Sequence, residues 1–123
     1  MKNYAESTDK QFAKEIIESA PQQSKAWLNF DKEVHDTQTA IPAKYKELIS
    51  IGIALTTQCP YCIEVHTLKA KEIGITQEEL SETIMIAAAL RSGAAVGYGL
   101  LHCSSFIKLR SEKLFIIYLF NLV

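Results

Sequence analysis

The chain has 123 residues, of which 48% are hydrophobic and 22% are charged, and its formal net charge is −1. This composition is typical of a globular protein, and the length suffices for one hydrophobic core but is short for two, so we predict a single domain over residues 1–123. Because the net charge is close to zero, nothing attracts polyanions electrostatically, and we expect neither nucleic acid nor a membrane surface as a partner.

The cysteines and the apolar segments indicate the cellular compartment in which we expect the protein. The first residues are polar and lack the apolar segment of a signal peptide, so we expect a cytoplasmic protein. Two of the three cysteines form one Cys-x-x-Cys motif, which in a reducing compartment indicates a redox or metal site and not a structural disulfide. The one membrane-like run, residues 114–123, is about half of the ~20 residues that span a bilayer, so we expect it to pack against protein.

Helix signals begin near the N-terminus, and no segment shows the strict alternation of a β-strand. We expect a first helix that starts after Ser7 or Thr8 and stops before Pro21. Ser24 is a candidate cap for a second helix, and residues 36–39 have the composition of a loop.

The middle of the chain contains two well-marked helices. The first is predicted from Pro42 to about Thr57 and is apolar nearly all round, as expected of a buried central helix. The second is predicted from Pro60 to about Ile73 and ends at Gly74.

A further helix is expected after residues 76–79, which have the Thr-x-x-Glu form of a capping box. The small residues of segment 93–99 permit close approach between helices, and their glycines suggest a break near Ser92. Residues 102–123 are expected to add one or two helices. The sequence therefore predicts an all-α, compact helical domain of about five to seven helices.

The motif Cys59-Pro60-Tyr61-Cys62 carries the clearest chemical signal. Pro60 fits the first position of a helix, so Cys59 falls at the N-cap and Cys62 in the first turn. His66 follows Cys62 by four residues and lies one turn further on the same face. Because the positive end of a helix favours thiolate over thiol, the motif indicates a redox centre.

Glu47 precedes the motif by twelve residues, within the apolar pattern of the preceding helix. Its neighbours at four and seven residues are Ile51 and Ala54, so its carboxylate is expected to lie along an apolar stripe toward Cys59. A glutamate in such a place is unusual and suggests a function. A lone glutamate would more often be ion-paired or exposed at the edge of an oligomer.

Four residues share the spacing Glu-x11-Cys-x2-Cys-x3-His: Glu47, Cys59, Cys62 and His66. This spacing resembles the peroxidase branch of the AhpD-like alkylhydroperoxidase and carboxymuconolactone decarboxylase family. The segments 46–49 and 84–93 also resemble that family, within a similar region from about residue 41 to about residue 101. The founding peroxidase is longer, with a repeated half, and has a histidine in the position of Tyr61, so one possible proton carrier is missing here.

The resemblance implies an all-α homo-oligomer, a trimer or hexamer, that reduces a peroxide with its cysteine pair. Cys62 would be the peroxidatic thiol, Cys59 the resolving thiol, and His66 and Glu47 a proton relay. A lipoyl-bearing or thioredoxin-like dithiol protein would regenerate the pair, and no metal, flavin or heme cofactor would be required. Because a helical unit of this size cannot easily cover its apolar surface, we expect assembly through segment 93–99 and the apolar tail from Leu114.

Several alternatives stay open. The same thiols would also suit a redox sensor or a disulfide reductase without peroxide turnover, and the shared scaffold would suit a carboxymuconolactone decarboxylase-type enzyme. A zinc site would need a fourth ligand, for which His102 or Cys103 are the candidates. Cys103 alone is expected to be a small buried residue, and His35 and His102 are expected to have packing or surface roles. Segment 93–99 lacks the preceding strand of a phosphate-binding loop.

Overall fold

A computed structural model describes residues 6–36 and 39–120, with side chains described except at residues 7, 36, 109 and 111–120. The described residues contain no β-strand, which confirms the all-α prediction. Within these ranges a 3-10 helix comes first, Ser7–Phe12, and five α-helices follow: α1 Ala13–Ser19, α2 Pro21–Asp36, α3 Ala43–Thr57, α4 Pro60–Glu72 and α5 Gln77–Phe120.

The N-terminal helices differ in detail from the prediction. The expected first helix consists of the 3-10 helix and α1, and it ends before Pro21 as predicted. The prediction that Ser24 caps α2 is wrong, because α2 begins at Pro21 and the Ser24 N–H donates an ordinary helical hydrogen bond of 2.9 Å to the Ala20 carbonyl. Proline suits a first helical position, since its missing N–H has no helical partner there. Of the predicted loop, residues 37 and 38 lie outside the described residues.

Helix α3 packs against α2 and α4, and α4 carries the cysteine motif. Helix α3 begins at Ala43, one residue after the predicted start at Pro42, which is the N-cap residue. Its buried residues Glu47, Ile51 and Ala54 form one stripe. The expectation of a helix buried all round is wrong, because Ile49 and Ile53 are exposed. The stripe faces α4, against which α3 mainly packs.

The end of α4 and the start of α5 confirm the predicted signals. Gly74 has a left-handed φ of 76°, a conformation that glycine adopts without strain. The Glu79 N–H donates a 3.2 Å hydrogen bond to Thr76 Oγ1, and the Thr76 N–H donates a 3.1 Å bond to Glu79 Oε2, so the capping box is formed.

Helix α5 is a single helix from Gln77 to Phe120, so the predicted break near Ser92 and the separate helices after His102 are wrong. The Ser92 hydroxyl donates a 2.8 Å bond to the Ala89 carbonyl within the helix. Contacts divide the chain into two compact units, Met1–Ala87 and Ala88–Val123, and the cysteine motif lies in the first. A single domain over residues 1–123 stays a prediction.

One stretch of the described residues, Gln77–Lys108, is by length and composition apolar enough to cross a membrane. The prediction that residues 114–123 are the one membrane-like run is therefore wrong, and the side chains of that tail lie outside the described part. A single helix of this kind is weak evidence for a membrane, because core helices of soluble proteins can be equally long and apolar.

Candidate active site

Cys59 and Cys62 lie at the start of α4, where the sequence predicts them. Cys59 is the N-cap residue, with extended backbone angles, and Pro60 is the first helical residue. Gln58 adopts a left-handed φ of 57°, which ends α3 and turns the chain into the motif. The two cysteines form a disulfide, with their Cα atoms 5.4 Å apart. The Cys62 N–H also points at Cys59 Sγ at 3.3 Å, so the helix N-terminus directs a donor at sulfur.

Glu47 and His66 form a short polar contact between α3 and α4. Oε2 of Glu47 lies 2.7 Å from Nδ1 of His66, which joins α3 to α4. The side chains are only 9% and 15% exposed, so water competes little for this contact. The carboxylate fixes the proton of the neutral ring on Nδ1 and leaves Nε2 as the basic nitrogen. The structure thus brings together the four residues that the motif singles out.

Tyr61, the central residue of the motif, holds the N-terminal segment. Its hydroxyl donates a 2.7 Å hydrogen bond to Asp9 Oδ2. This bond is the main cause that lowers the pKa of Asp9, with a second contribution from the Glu6 backbone N–H. The same bond raises the pKa of Tyr61. Lys10 adds a 2.6 Å ion pair to Glu64 on α4, so two contacts attach the 3-10 helix beside the cysteines.

A cavity of about 540 Å³ opens onto the site. Cys62 and His66 form part of its wall together with side chains of α2, α3 and the segment before α3. The wall also contains five aliphatic side chains: Val34, Ile41, Ile49, Ile53 and Ala54. An organic molecule could therefore bury an apolar group there with its reactive end beside Cys62.

His35 is the site residue that the sequence reasoning missed. It lines the same cavity, and the centroid of its ring lies 5.1 Å from that of His66. His35 and His66 lie on different helices, so no spacing in the sequence indicates that they meet.

The other candidate ligands belong to the second unit. Cys103 is exposed, so the expectation of a buried thiol is wrong. It lines a separate cavity of about 440 Å³ with His102, Ser105 and Phe106. Among the side chains that the structure describes, no group of three or more His, Cys, Asp or Glu is placed to hold a metal ion.

A family model and several curated proteins match part of this chain. The carboxymuconolactone decarboxylase family model matches residues 21–101, a region that contains the whole motif. The chain is 42% identical over 59 residues to uncharacterized protein 4 in the cox locus of Paracoccus denitrificans, which covers 48% of this chain and 53% of that protein. It is 30% identical over 63 residues to uncharacterized protein YdfG of Bacillus subtilis, covering 51% and 42%. The chain thus spans about half the length of the curated relatives it matches.

Two solved structures are similar in fold. A protein from Methanobacterium thermoautotrophicum matches with a TM-score of 0.64 and 30% identity, over 68% of this chain and 93% of that one. The apo form of lpg0406, a carboxymuconolactone decarboxylase family protein from Legionella pneumophila, matches with a TM-score of 0.61 and 28% identity, over 74% and 80%. Both similarities agree with the helical architecture described above.

Proposed function

Because the chain belongs to the carboxymuconolactone decarboxylase family, we propose that it is a thiol peroxidase that uses Cys59 and Cys62 as its redox pair. The observation that carries this proposal is the contact of 2.7 Å between Glu47 and His66 beside a cavity that Cys62 lines. A buried carboxylate–imidazole pair in the same site as a thiol at a helix start is an arrangement that suits proton removal from the thiol.

The first step is attack on the peroxide. The Nε2 atom of His66 takes the proton from Cys62, and Glu47 stabilises the resulting imidazolium. The Cys62 thiolate attacks one oxygen of the peroxide and breaks the O–O bond, which oxidises the sulfur to a sulfenic acid. The departing oxygen takes up a proton and leaves as an alcohol or as water.

The second step forms the disulfide. The Cys59 thiol attacks the sulfenic acid of Cys62, the S–S bond forms, and one water leaves. The observed bond between the two cysteines corresponds to this oxidised state. A dithiol then reduces it by thiol–disulfide exchange and is itself oxidised to a disulfide. We propose a lipoyl-bearing or thioredoxin-like protein in a reducing cytoplasm as this donor.

We also propose that the active form is a homo-oligomer, a trimer or hexamer. The hydrophobic residues buried among the described part are few: Ile51, Ala54, Ala70 and Ala87. Many large apolar side chains of α2 and α5 are instead exposed, for example Trp27, Phe30, Leu90 and Phe106 at 63–71%. Copies of the chain would cover such surface on one another. Light scattering tests this proposal, and a monomer at micromolar concentration would contradict it. Binding to lipid vesicles in place of self-association would also contradict it.

A peroxide consumption assay with several dithiol donors tests the function. The wild-type protein and a Cys103→Ser control should consume peroxide, whereas the Cys59→Ser, Cys62→Ser double variant should not. Disulfide formation once per chain without turnover, with every donor, would instead indicate a redox sensor. An activity on a small lactone that survives loss of both cysteines would indicate a decarboxylase-type enzyme.

A further inference from the structure

We propose that His35 is a positioning residue of this site, which holds the ring of His66 and biases His66 toward its neutral form. Only the use of the neutral form, as the base that accepts the proton of Cys62, rests on the proposed function. The contact between the two rings does not depend on which substrate binds.

The ring of His35 is held in place by three neighbours. Its side chain is 16% exposed, and its ring lies against that of His66 with 33° between the planes. Nδ1 lies 3.0 Å from the carbonyl oxygen of Asp31, one turn earlier on α2. Nε2 lies 3.2 Å from Oγ of Ser50 on α3. Helices α2 and α3 therefore fix the ring that packs on His66.

Both nitrogens of His35 lie within hydrogen-bond distance of an oxygen. The Asp31 carbonyl oxygen can only accept, so Nδ1 carries a hydrogen. The Ser50 hydroxyl can donate its one hydrogen to the Lys46 carbonyl, 2.8 Å away, or to Nε2 of His35. When it donates to Lys46, its oxygen can accept a hydrogen from Nε2, so the ring of His35 has a partner for a proton on each nitrogen. When it donates to Nε2, the ring is neutral.

Each of the two rings has a carboxylate partner. Nδ1 of His35 lies 3.4 Å from Oδ1 of Asp31, and Nδ1 of His66 lies 2.7 Å from Oε2 of Glu47. The titratable groups facing this region come from three helices: Asp31 and Glu33 of α2, Lys46 and Glu47 of α3, and Cys62 and His66 of α4. The site thus contains two histidine–carboxylate pairs with their rings in contact.

A proton on one ring opposes a proton on the other. Two unit charges 5.1 Å apart, even in bulk water, weaken the binding of the second proton roughly fourfold, and a less polar surrounding increases the effect. The two histidines therefore bind protons as a coupled pair. While His35 holds a proton, His66 is biased toward the neutral ring that can accept the proton of Cys62.

The experiment follows the His66 ring by NMR during a pH titration of the full chain, in the reduced and the disulfide forms. His35→Phe keeps an aromatic ring against His66 and removes the charge, so His66 should bind its proton roughly fourfold or more tightly than in the wild type. The acidic limb of the pH–rate profile for peroxide reduction should move to higher pH, by the shift that corresponds to this change in the proton affinity of His66. His102→Phe, in the second unit, is the matched control and should leave the His66 titration unchanged.

Ser50→Ala provides a second variant if His35→Phe does not fold. It leaves both rings and removes the acceptor at Nε2, so the His66 titration should move in the same direction by a smaller amount. Superimposable His66 titrations for the wild type and each folded variant would overturn the inference. A shifted titration in a protein that reduces no peroxide would overturn the proposed function and support the coupling.

Discussion

The Tyr61 hydroxyl donates a 2.7 Å hydrogen bond to the Asp9 carboxylate, and this bond joins the centre of the Cys-x-x-Cys motif to the N-terminal 3-10 helix. The bond is formed by an ionised carboxylate and a neutral phenol. It therefore lowers the pKa of Asp9 and raises that of Tyr61.

We predict that Asp9→Asn returns the pKa of Tyr61 toward its ordinary value of about 10. The phenolate absorbance at alkaline pH should then appear at lower pH than in the wild type. Since the folded-state pKa of Tyr61 is raised, its stabilising contribution is complete below the unfolded pKa and is lost as the pH rises through the folded value. Tyr61→Phe identifies the signal, with Tyr45→Phe as the control. Identical phenolate titrations in the wild type and Asp9→Asn would contradict the prediction.

We predict that Cys62 and Cys59 are unequal. Cys62→Ser should abolish peroxide reduction, because the nucleophile one turn from His66 is lost. Cys59→Ser should form a sulfenic acid once and then stop, because no resolving thiol remains. Mass spectrometry with a sulfenic acid trap distinguishes the two variants, and Cys103→Ser serves as the control. A trapped sulfenic acid on Cys59 in the Cys62→Ser protein would reverse the assignment.

The helix boundaries around the motif followed from the sequence because the signals there are local. Pro42, Pro60 and Gly74 act through their own backbone angles, and the capping box of Thr76 and Glu79 needs only one turn of helix. The face that carries Glu47 followed in the same way, since helical spacing alone places it with Ile51 and Ala54.

Two features could not be derived from local signals. His35 meets His66 only because α2 packs beside α3 and α4, and one sequence contains no record of which helix faces pair. The break expected near Ser92 is absent because each helical glycine costs only about 1 kcal/mol, which neighbouring residues of high helix propensity can offset.

We predict a pH-dependent contribution from the Lys44–Glu79 ion pair, which joins α3 to the first turn of α5. Lys44, and after it the Thr76 N–H, lowers the pKa of Glu79. A lowered folded-state pKa stabilises above the unfolded value of about 4.3, and the contribution is lost as the pH falls through the folded value. Thermal unfolding should show Glu79→Gln slightly less stable than wild type at neutral pH, with the difference fading in acid. A similar pH dependence for the control, Glu78→Gln, would remove the pair as the cause.

We predict that Gly97→Leu weakens self-association without harming the helix. A Cβ atom built on Gly97 meets nothing within 4 Å, so a larger side chain has room in the isolated chain. Leucine also favours a helix over glycine by up to about 1 kcal/mol. If copies approach through segment 93–99, the new side chain blocks them, and light scattering should give a lower mass at unchanged helical circular dichroism. An unchanged mass, equal to that of a Ser104→Leu control, would place the interface elsewhere.

We predict that Glu47→Gln lowers the reactivity of Cys62 by on the order of 10²-fold while the protein stays folded. Glutamine keeps the size and hydrogen-bonding reach of Glu47 but cannot stabilise a charged His66 ring, whose Nδ1 lies 2.7 Å from the carboxylate. The rate of Cys62 alkylation in the reduced protein, measured across neutral pH beside thermal unfolding, reports the two effects separately. Glu72→Gln, an exposed change at the end of α4, is the control. A structural role for Glu47 would give the opposite pattern, with lower stability and normal alkylation in the folded fraction. Unchanged alkylation in a folded Glu47→Gln protein would remove Glu47 from the mechanism and leave Cys62 with His66 alone.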